Sequence, residues 1–332
     1  MGTQERVVVI GGSGFIGSSL CRLLVQSRPT KIVDIRASAD FPDLVCHADV
    51  RDPSQLSRCL KIGDIIVNLA AEHRDDVTPR SRYDEVNVGG ARICCNVARD
   101  IGINTILFTS SVAVYGFSPP NTAEDGTVDP FNDYGRTKYE AEQVYRNWQA
   151  EAPEVRTLII VRPTVVFGER NRGNVYNLMR QIASDRFIMV GSGANRKSMA
   201  YVENVAAFLK RCLIMDPGVH LFNYVDKPDY TVEDLVRMIR RNLGKRDEIP
   251  VRLPYWFADI FAGACDLFSN ITKKKFSISS IRIKKFVSET TFNTAINNDF
   301  FKAPVPLEEA IRRTIHYEFL NNNSGNTTFS TE

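Results

Sequence analysis

The chain has 332 residues, 43% hydrophobic and 24% charged, which suits a soluble globular protein with one large core or two unequal ones and excludes disordered and fibrous classes. A formal net charge of +3 is too small to indicate a nucleic-acid partner, which calls for a concentrated basic face. Seven cysteines without a CxxC pair fit neither a disulfide framework nor a zinc site, so no metal is expected and a reducing cytoplasm is the simple reading.

Short apolar runs alternate with helical patterns through the first half. They are a strand at Val7–Ile10, a helix over Gly14–Gln26, strands at Lys31–Asp34 and Ile65–Leu69, and a helix over Asn87–Asp100. A strand at Thr105–Ser110, a helix over Lys138–Ala150 and a strand at Thr157–Arg162 follow. Apolar strands separated by helices predict an α/β fold on a parallel doubly wound sheet. Past Pro163 helical stretches at Val175–Ala183, Val202–Ile214 and Val232–Leu243 stand between Gly- and Pro-marked turns, which predicts a smaller second domain. The expected division is 1–166 for the sheet domain and 167–320 for the smaller one, with returns to the sheet near 198–226. The Asn-, Ser- and Thr-rich stretch 321–332 reads as a disordered tail.

Gly11-Gly12-Ser13-Gly14-Phe15-Ile16-Gly17 joins the first strand to the first helix. Glycines at Gly11, Gly14 and Gly17 let the backbone turn tightly and approach a pyrophosphate, held by free N–H groups at the start of the helix near Phe15 and Ile16. Alone this pattern is weak. Asp34, however, ends the next strand about 20 residues on, where a carboxylate holds ribose hydroxyls and repels the 2′-phosphate of NADP. Ile35 and Arg36 follow it, and Arg36 leaves room for dual use, but NAD is the expected cofactor. Asp49 and Val50 after the third strand, and Leu69, Ala70 and Ala71 after the fourth, lie where such a fold meets the adenine and the middle of the cofactor. Both also read as ordinary strand-end residues.

Thr109-Ser110-Ser111 ends an apolar strand, and Tyr134-Gly135-Arg136-Thr137-Lys138 opens a helical stretch with Tyr134 and Lys138 on one face. A free phenol has a pKa of about 10, so a base near neutrality needs roughly three units of depression, about 4 kcal/mol. One nearby cation supplies about 1–3 units. Lys138 with the positive nicotinamide of NAD is therefore expected to lower Tyr134, leaving Ser111 to hydrogen-bond the reacting oxygen. Asn87 is expected to brace the helix and position water or Lys138, and reads otherwise as a helix-surface residue.

Taken together, Gly11–Gly17, Ser110-Ser111-Val112-Ala113-Val114-Tyr115-Gly116, Tyr134–Lys138 and Arg162-Pro163-Thr164-Val165-Val166-Phe167-Gly168 resemble the nucleotide-sugar epimerase/dehydratase branch of the extended short-chain dehydrogenases, over about Arg6 to Phe319. The resemblance implies a Rossmann domain, a C-terminal substrate domain, bound NAD contacted also by Ser110, Tyr134, Lys138 and Pro163, and a homodimer. Three longer strings, 69–77, 167–177 and 223–229, are similar to epimerases whose substrate is an N-acetylhexosamine joined by diphosphate to undecaprenol, at the start of surface-polysaccharide repeats. On that likeness the expected reaction is inversion at C4 through a transient 4-keto sugar, with contacts from Ser111, Asn174, Lys197, Tyr201 and Arg282. A soluble UDP-N-acetylglucosamine 4-epimerase and a non-catalytic NAD-sensing scaffold are the alternatives. A 4,6-dehydratase is disfavoured because no Thr-Asp-Glu follows the strand-end serines.

The substrate side departs from the family pattern. Where relatives carry Gly-x-Gly-x-x-x-Arg, this chain reads Gly191 to Lys197, and lysine is a point charge without the bidentate fork. The usual late Arg-Pro-x-Asp is missing, with Arg282 as candidate replacement. Between Arg237 and Lys285 twelve basic residues meet four acids, around apolar residues at helical spacing from Trp256 to Phe268. Such a region lies in an anionic membrane surface or packs on the substrate domain with a basic rim, and the lipid-linked resemblance favours the membrane. No run reaches the roughly 18–20 apolar residues of a membrane span, and no secretion signal opens the chain, so the expected location is cytoplasmic, on the inner face of the membrane. His73 reads as a structural or a functional residue, and not as a metal ligand.

Overall fold

The computed structural model describes residues 5–74, 77–249, 251–257, 284, 286–323 and 325–330. Its main sheet has seven strands: β1 (Val7–Ile10), β2 (Thr30–Asp34), β3 (Val45–His47), β4 (Ile65–Asn68), β5 (Thr105–Thr109), β6 (Thr157–Pro163) and β10 (Gly218–Tyr224). Their order is β10-β6-β5-β4-β1-β2-β3, and each neighbouring pair runs parallel. The chain moves outward from β1 to β3 and then starts again at β4 in the other direction. The loops after β1 and β4 therefore part and leave a crevice at the strands' C-terminal ends.

The strands are apolar on both sides because helices cover both faces. Val7 and Val9 pack with α1 (Phe15–Leu24) and α7 (Val202–Cys212). Val8 and Ile10 point the other way, to α2 (Pro53–Cys59), α4 (Gly90–Ile101) and α5 (Asp133–Ala150). The α4 helix is entered through a single turn, α3 (Ser81–Tyr83), and a wider turn at Asp84–Gly89. A second core joins α6 (Asn174–Ala183), α8 (Val232–Asn242) and α9 (Leu307–Ile315) to a small sheet of β11 (Asp226–Thr231), β9 (Arg196–Tyr201) and β7 (Val165–Phe167). Two short strands, β8 (Met189–Val190) and β12 (Arg252–Leu253), pair parallel beside it. Among the described residues no helix is long and apolar enough to cross a membrane.

Three expectations change here. Of the stretch 198–226, Gly218–Tyr224 joins the main sheet, whereas Arg196–Tyr201 belongs to the small one. Cys46 and Cys59 are disulfide-bonded, although their separation of 13 residues carries no signal until α2 folds back beside β3. Cys21, Cys94, Cys95 and Cys212 are free and buried, and Cys265 lies outside the described residues. The stretch after Asn321 is not structureless throughout. Phe329 exchanges backbone hydrogen bonds of 2.8 Å with Arg170 and Arg172, and its ring lies 4.9 Å from the Arg170 guanidinium and 5.9 Å from the Phe15 ring. One aromatic residue among Asn, Ser and Thr supplies the apolar surface that composition hides.

Candidate active site

The crevice begins at Gly11, whose φ is +77° and whose added Cβ would stand 2.7 Å from the backbone nitrogen of Ala70. Only glycine allows this turn to abut the β4 loop, where Leu69 N–H donates to the Ile10 carbonyl at 2.8 Å. The α1 helix starts at Phe15 and Ile16 without a side-chain cap and without an acid in its first turn, so its N–H groups are left for an anion. Asp34 closes the other side, accepting from Ser13 N–H at 3.0 Å and Arg36 N–H at 2.9 Å. Beside it Ile35 is 64% exposed, an apolar surface for a planar base. A bare helix start, a fixed carboxylate and an apolar cover fit a dinucleotide. The Asp49 carboxylate is taken up by Arg51 at 2.6 Å, and Val50 is buried against Gly90.

The catalytic candidates meet through a second close approach. Asn132 caps α5 by accepting from Gly135 N–H at 2.9 Å, and a Cβ on Gly135 would stand 2.4 Å from the Ala113 carbonyl oxygen. Glycine thus lets the first turn of α5 press onto the turn that carries Ser111. The Ser111 side chain stands near the Tyr134 phenol there and favours its ionised form. Since the Ser111 hydroxyl also accepts from Ala113 N–H at 3.1 Å, it keeps its own proton to donate.

Lys138 corrects the electrostatic expectation. Its ammonium donates to the Thr109 carbonyl at 2.7 Å, lies over the Phe108 ring at 4.6 Å, and stands 6.0 Å from the centre of the Tyr134 ring. Burial pushes the Tyr134 phenol up to about 12, partly offset by the nearby Ser111 side chain, and brings Lys138 down to about 7 against the pull of Glu142. Burial thus outweighs the contacts that would lower the phenol. Asn87 does brace the helix. It is buried, accepts from Glu72 N–H at 2.8 Å, and donates to the Glu72 carbonyl at 3.0 Å and to Thr137 Oγ1 at 2.9 Å, next to Lys138 in the chain and not to Lys138 itself.

Ser110, expected at the cofactor, turns its hydroxyl to Glu142 at 2.5 Å. That carboxylate forks the Arg162 guanidinium at 2.8 and 2.6 Å, with the pair 0% and 3% exposed. Arg162 also donates to the Tyr115 hydroxyl at 2.7 Å, which donates to Asn223 Oδ1 at 2.8 Å. This buried chain ties α5, β6 and β10 under the site, and sequence reasoning missed it. Pro163 ends β6 above it, fully enclosed.

The expected substrate residues divide. Asn174 opens α6 and is exposed. Lys197 donates to the Ser288 carbonyl at 2.6 Å, and burial lowers it to about 8. Tyr201 is a correction: it is fully buried and its hydroxyl is bonded to Glu169 at 3.0 and 3.1 Å, since the residue ends β9, just before α7, against the second core. Arg282 lies outside the described residues.

Fold and site together define a dinucleotide-dependent enzyme of the extended short-chain dehydrogenase type. A model of the NAD dependent epimerase/dehydratase family matches residues 7–223, and the chain belongs to that family, with NAD as its cofactor. The N-acetyl-alpha-D-glucosaminyl-diphospho-ditrans,octacis-undecaprenol 4-epimerase of Escherichia coli O157:H7 is 44% identical over 332 residues, covering 99% of this chain and 100% of the relative. A UDP-glucose 4-epimerase of Vibrio cholerae is 27% identical, covering 81% and 85%. Among solved structures, MoeE5 in complex with UDP-glucuronic acid and NAD superposes with a TM-score of 0.74 at 23% identity, covering 94% of this chain and 98% of its own. A UDP-N-acetylglucosamine 4-epimerase from Methanobrevibacter ruminantium M1 gives 0.72 at 20% identity, covering 95% and 98%. At these identities the structural likeness is one of fold.

Proposed function

We propose that the chain is a 4-epimerase of N-acetylglucosaminyl-diphospho-undecaprenol, converting the lipid-linked N-acetylglucosamine to N-acetylgalactosamine. The observation that carries this reading is 44% identity, from end to end, to the enzyme of that name. In the proposed chemistry Tyr134 takes the proton from O4 and later returns it, while Ser111 donates a hydrogen bond to the same oxygen as the sugar passes through its 4-keto form. NAD, which the Gly11–Gly17 turn, the start of α1 and Asp34 would hold, would supply the acceptor for the C4 hydride and the donor that restores it on the opposite face. For Tyr134 to act near neutral pH its phenol needs positive charge nearby, which Lys138, 6.0 Å from the centre of its ring, and the nicotinamide of bound NAD would supply.

Lys197 and Asn174 are proposed at the diphosphate. A point charge without a fork suits a substrate held only in part by its phosphates. The Gly191–Asn195 loop borders a cavity of about 260 Å³ together with Tyr255, and the next residues, Trp256 and Phe257, are 64% and 49% exposed. A polyprenyl chain leaving the diphosphate there would run over these rings to an anionic membrane surface, so peripheral attachment on the inner face is part of the proposal, as is a homodimer. The rest of the basic segment, with Lys273 to Lys275, lies outside the described residues.

Protein purified with its own NAD should convert a synthetic N-acetylglucosaminyl-diphospho-polyprenol at least about a hundredfold faster than UDP-N-acetylglucosamine, about 2.7 kcal/mol of discrimination. The reverse preference would make it a soluble nucleotide-sugar epimerase. Turnover of neither would leave an NAD-binding scaffold.

A further inference from the structure

The loop after β4 is pinned on both sides of one residue. Asn87 holds both backbone groups of Glu72, at 2.8 and 3.0 Å, and the Tyr83 hydroxyl donates to the Arg74 carbonyl. His73, between them, cannot swing with its backbone. Its Nδ1 lies 3.4 Å from the Ala71 carbonyl oxygen, while its Nε2 is buried without a hydrogen-bond partner. A carbonyl only accepts, so the neutral ring carries its proton on Nδ1 and presents Nε2 as an acceptor. Among the described residues the charged groups that face the ring are Lys138 from α5 and, on its own loop, Glu72 and Arg74. Burial first, then Lys138 and Arg74, lower the ring's pKa, against the Ala71 carbonyl and Glu72, so the neutral form dominates.

Buried polar atoms in native structures are paired, and one left unpaired at a ligand crevice marks where a ligand group belongs. The same clamp that fixes Glu72 reaches Thr137 at 2.9 Å, so the orphan nitrogen is held in register with the Tyr134–Lys138 turn. We propose that His73 is a binding residue of this site whose Nε2 accepts a hydrogen bond from a sugar hydroxyl. The crevice receives two sugars, the nicotinamide-side ribose of the cofactor and the hexose of the substrate, and both offer that donor. The first case rests on the NAD site alone, the second also on the epimerase reading.

Two variants separate the acceptor from the rest of the ring. His73→Asn keeps a polar group near Nδ1 and removes the acceptor at Nε2, whereas His73→Gln carries an amide oxygen close to where Nε2 stood. Using protein that holds its own NAD, the rate of nucleotide loss through gel filtration and the KM for the lipid-linked sugar are measured. If the donor is the ribose, His73→Asn loses nucleotide about three- to tenfold faster, the size of one neutral hydrogen bond, and His73→Gln recovers most of that loss. If the donor is the hexose, nucleotide loss is unchanged while KM rises about three- to tenfold in His73→Asn and recovers in His73→Gln, with kcat moved less. Asn behaving as wild type in both measurements overturns the proposal, as does a Gln variant impaired as much as Asn. Should the wild type prefer UDP-N-acetylglucosamine, the substrate reading falls and the KM arm runs on that sugar. If neither sugar turns over, nucleotide loss alone decides.

Discussion

Burial acts in opposite directions on the two titrating members of the site. The Tyr134 phenol is pushed up to about 12 and the Lys138 ammonium down to about 7, so each favours its neutral form. For Lys138 the folded value lies below the ordinary 10.5, and the folded state loses stability as pH falls from about 10.5 to about 7. Tyr134 has the other sign: its contribution is intact below 10 and disappears only as pH rises through about 12. Between pH 7 and 9.5 Lys138 therefore acts without interference from Tyr134. Urea unfolding of cofactor-free protein should show stability rising across that window, by at most about 1.4 kcal/mol per pH unit from this one group, and Lys138→Met should flatten the rise. Equal slopes in the two proteins would mean that Lys138 is not held as an unfavourably buried cation. Tyr134→Phe keeps the ring and removes the proton, so it should fold and retain NAD while kcat drops by about 10²–10⁴. Activity above a tenth of wild type would remove Tyr134 as the base. Ser111, Tyr134 and Lys138 were legible because a strand end and one helical turn bring them into short local patterns. The position of the Lys138 ammonium was not, since Thr109 and Phe108 reach it only through the fold.

Helix α5 is held from below by charge and from the side by an amide. Its Glu142 is 0% exposed and forked by Arg162 of β6, so removing the guanidinium leaves a buried carboxylate without its counter-ion. Arg162→Met should cost about 3–5 kcal/mol of stability, whereas Arg162→Met with Glu142→Met should recover most of it, because an apolar pair of similar volume replaces a desolvated ionic one. Equal destabilisation by the single and double variants in urea unfolding would show that the pair's geometry matters and not its charge. Most elements from Val7 to Arg162 were readable because strands covered on both faces are apolar without interruption and the helices between them are not, whereas the short, half-exposed edge strand β3 and the seven-residue α2 gave no such run. The Glu142–Arg162 pair was not readable: its partners are 20 residues apart and meet only when α5 packs along β6. Tyr201 misled for a related reason. The family likeness placed it at the substrate, but here it ends β9 facing the second core, and its hydroxyl belongs to Glu169.

For the whole molecule, the proposed substrate sets where the enzyme works. An undecaprenol-linked sugar resides in the membrane, so the proposed enzyme is expected to meet it at the membrane surface. Trp256 and Phe257 are exposed beside the cavity that Tyr255 lines, and the chain from Arg237 to Lys285 has twelve basic residues against four acids. Aromatic rings enter the headgroup region and each lysine near an anionic surface adds about 1 kcal/mol, so the proposed attachment would draw on both and would be reversible. The protein should therefore sediment with vesicles containing about a third anionic lipid and leave them as salt rises, since screening contracts the field to about 8 Å at physiological ionic strength. Replacing Trp256 and Phe257 with Ser should weaken attachment at every salt concentration, whereas replacing Lys273, Lys274 and Lys275 with Gln should weaken it chiefly at low salt. In both variants KM for vesicle-borne substrate should rise while turnover of a short-chain, water-soluble analogue stays near wild type, because the residues proposed for catalysis are untouched. Full activity on vesicle-borne substrate by protein that no longer sediments would show that the lipid is extracted and brought to the enzyme, and the surface would then have no part in recognition.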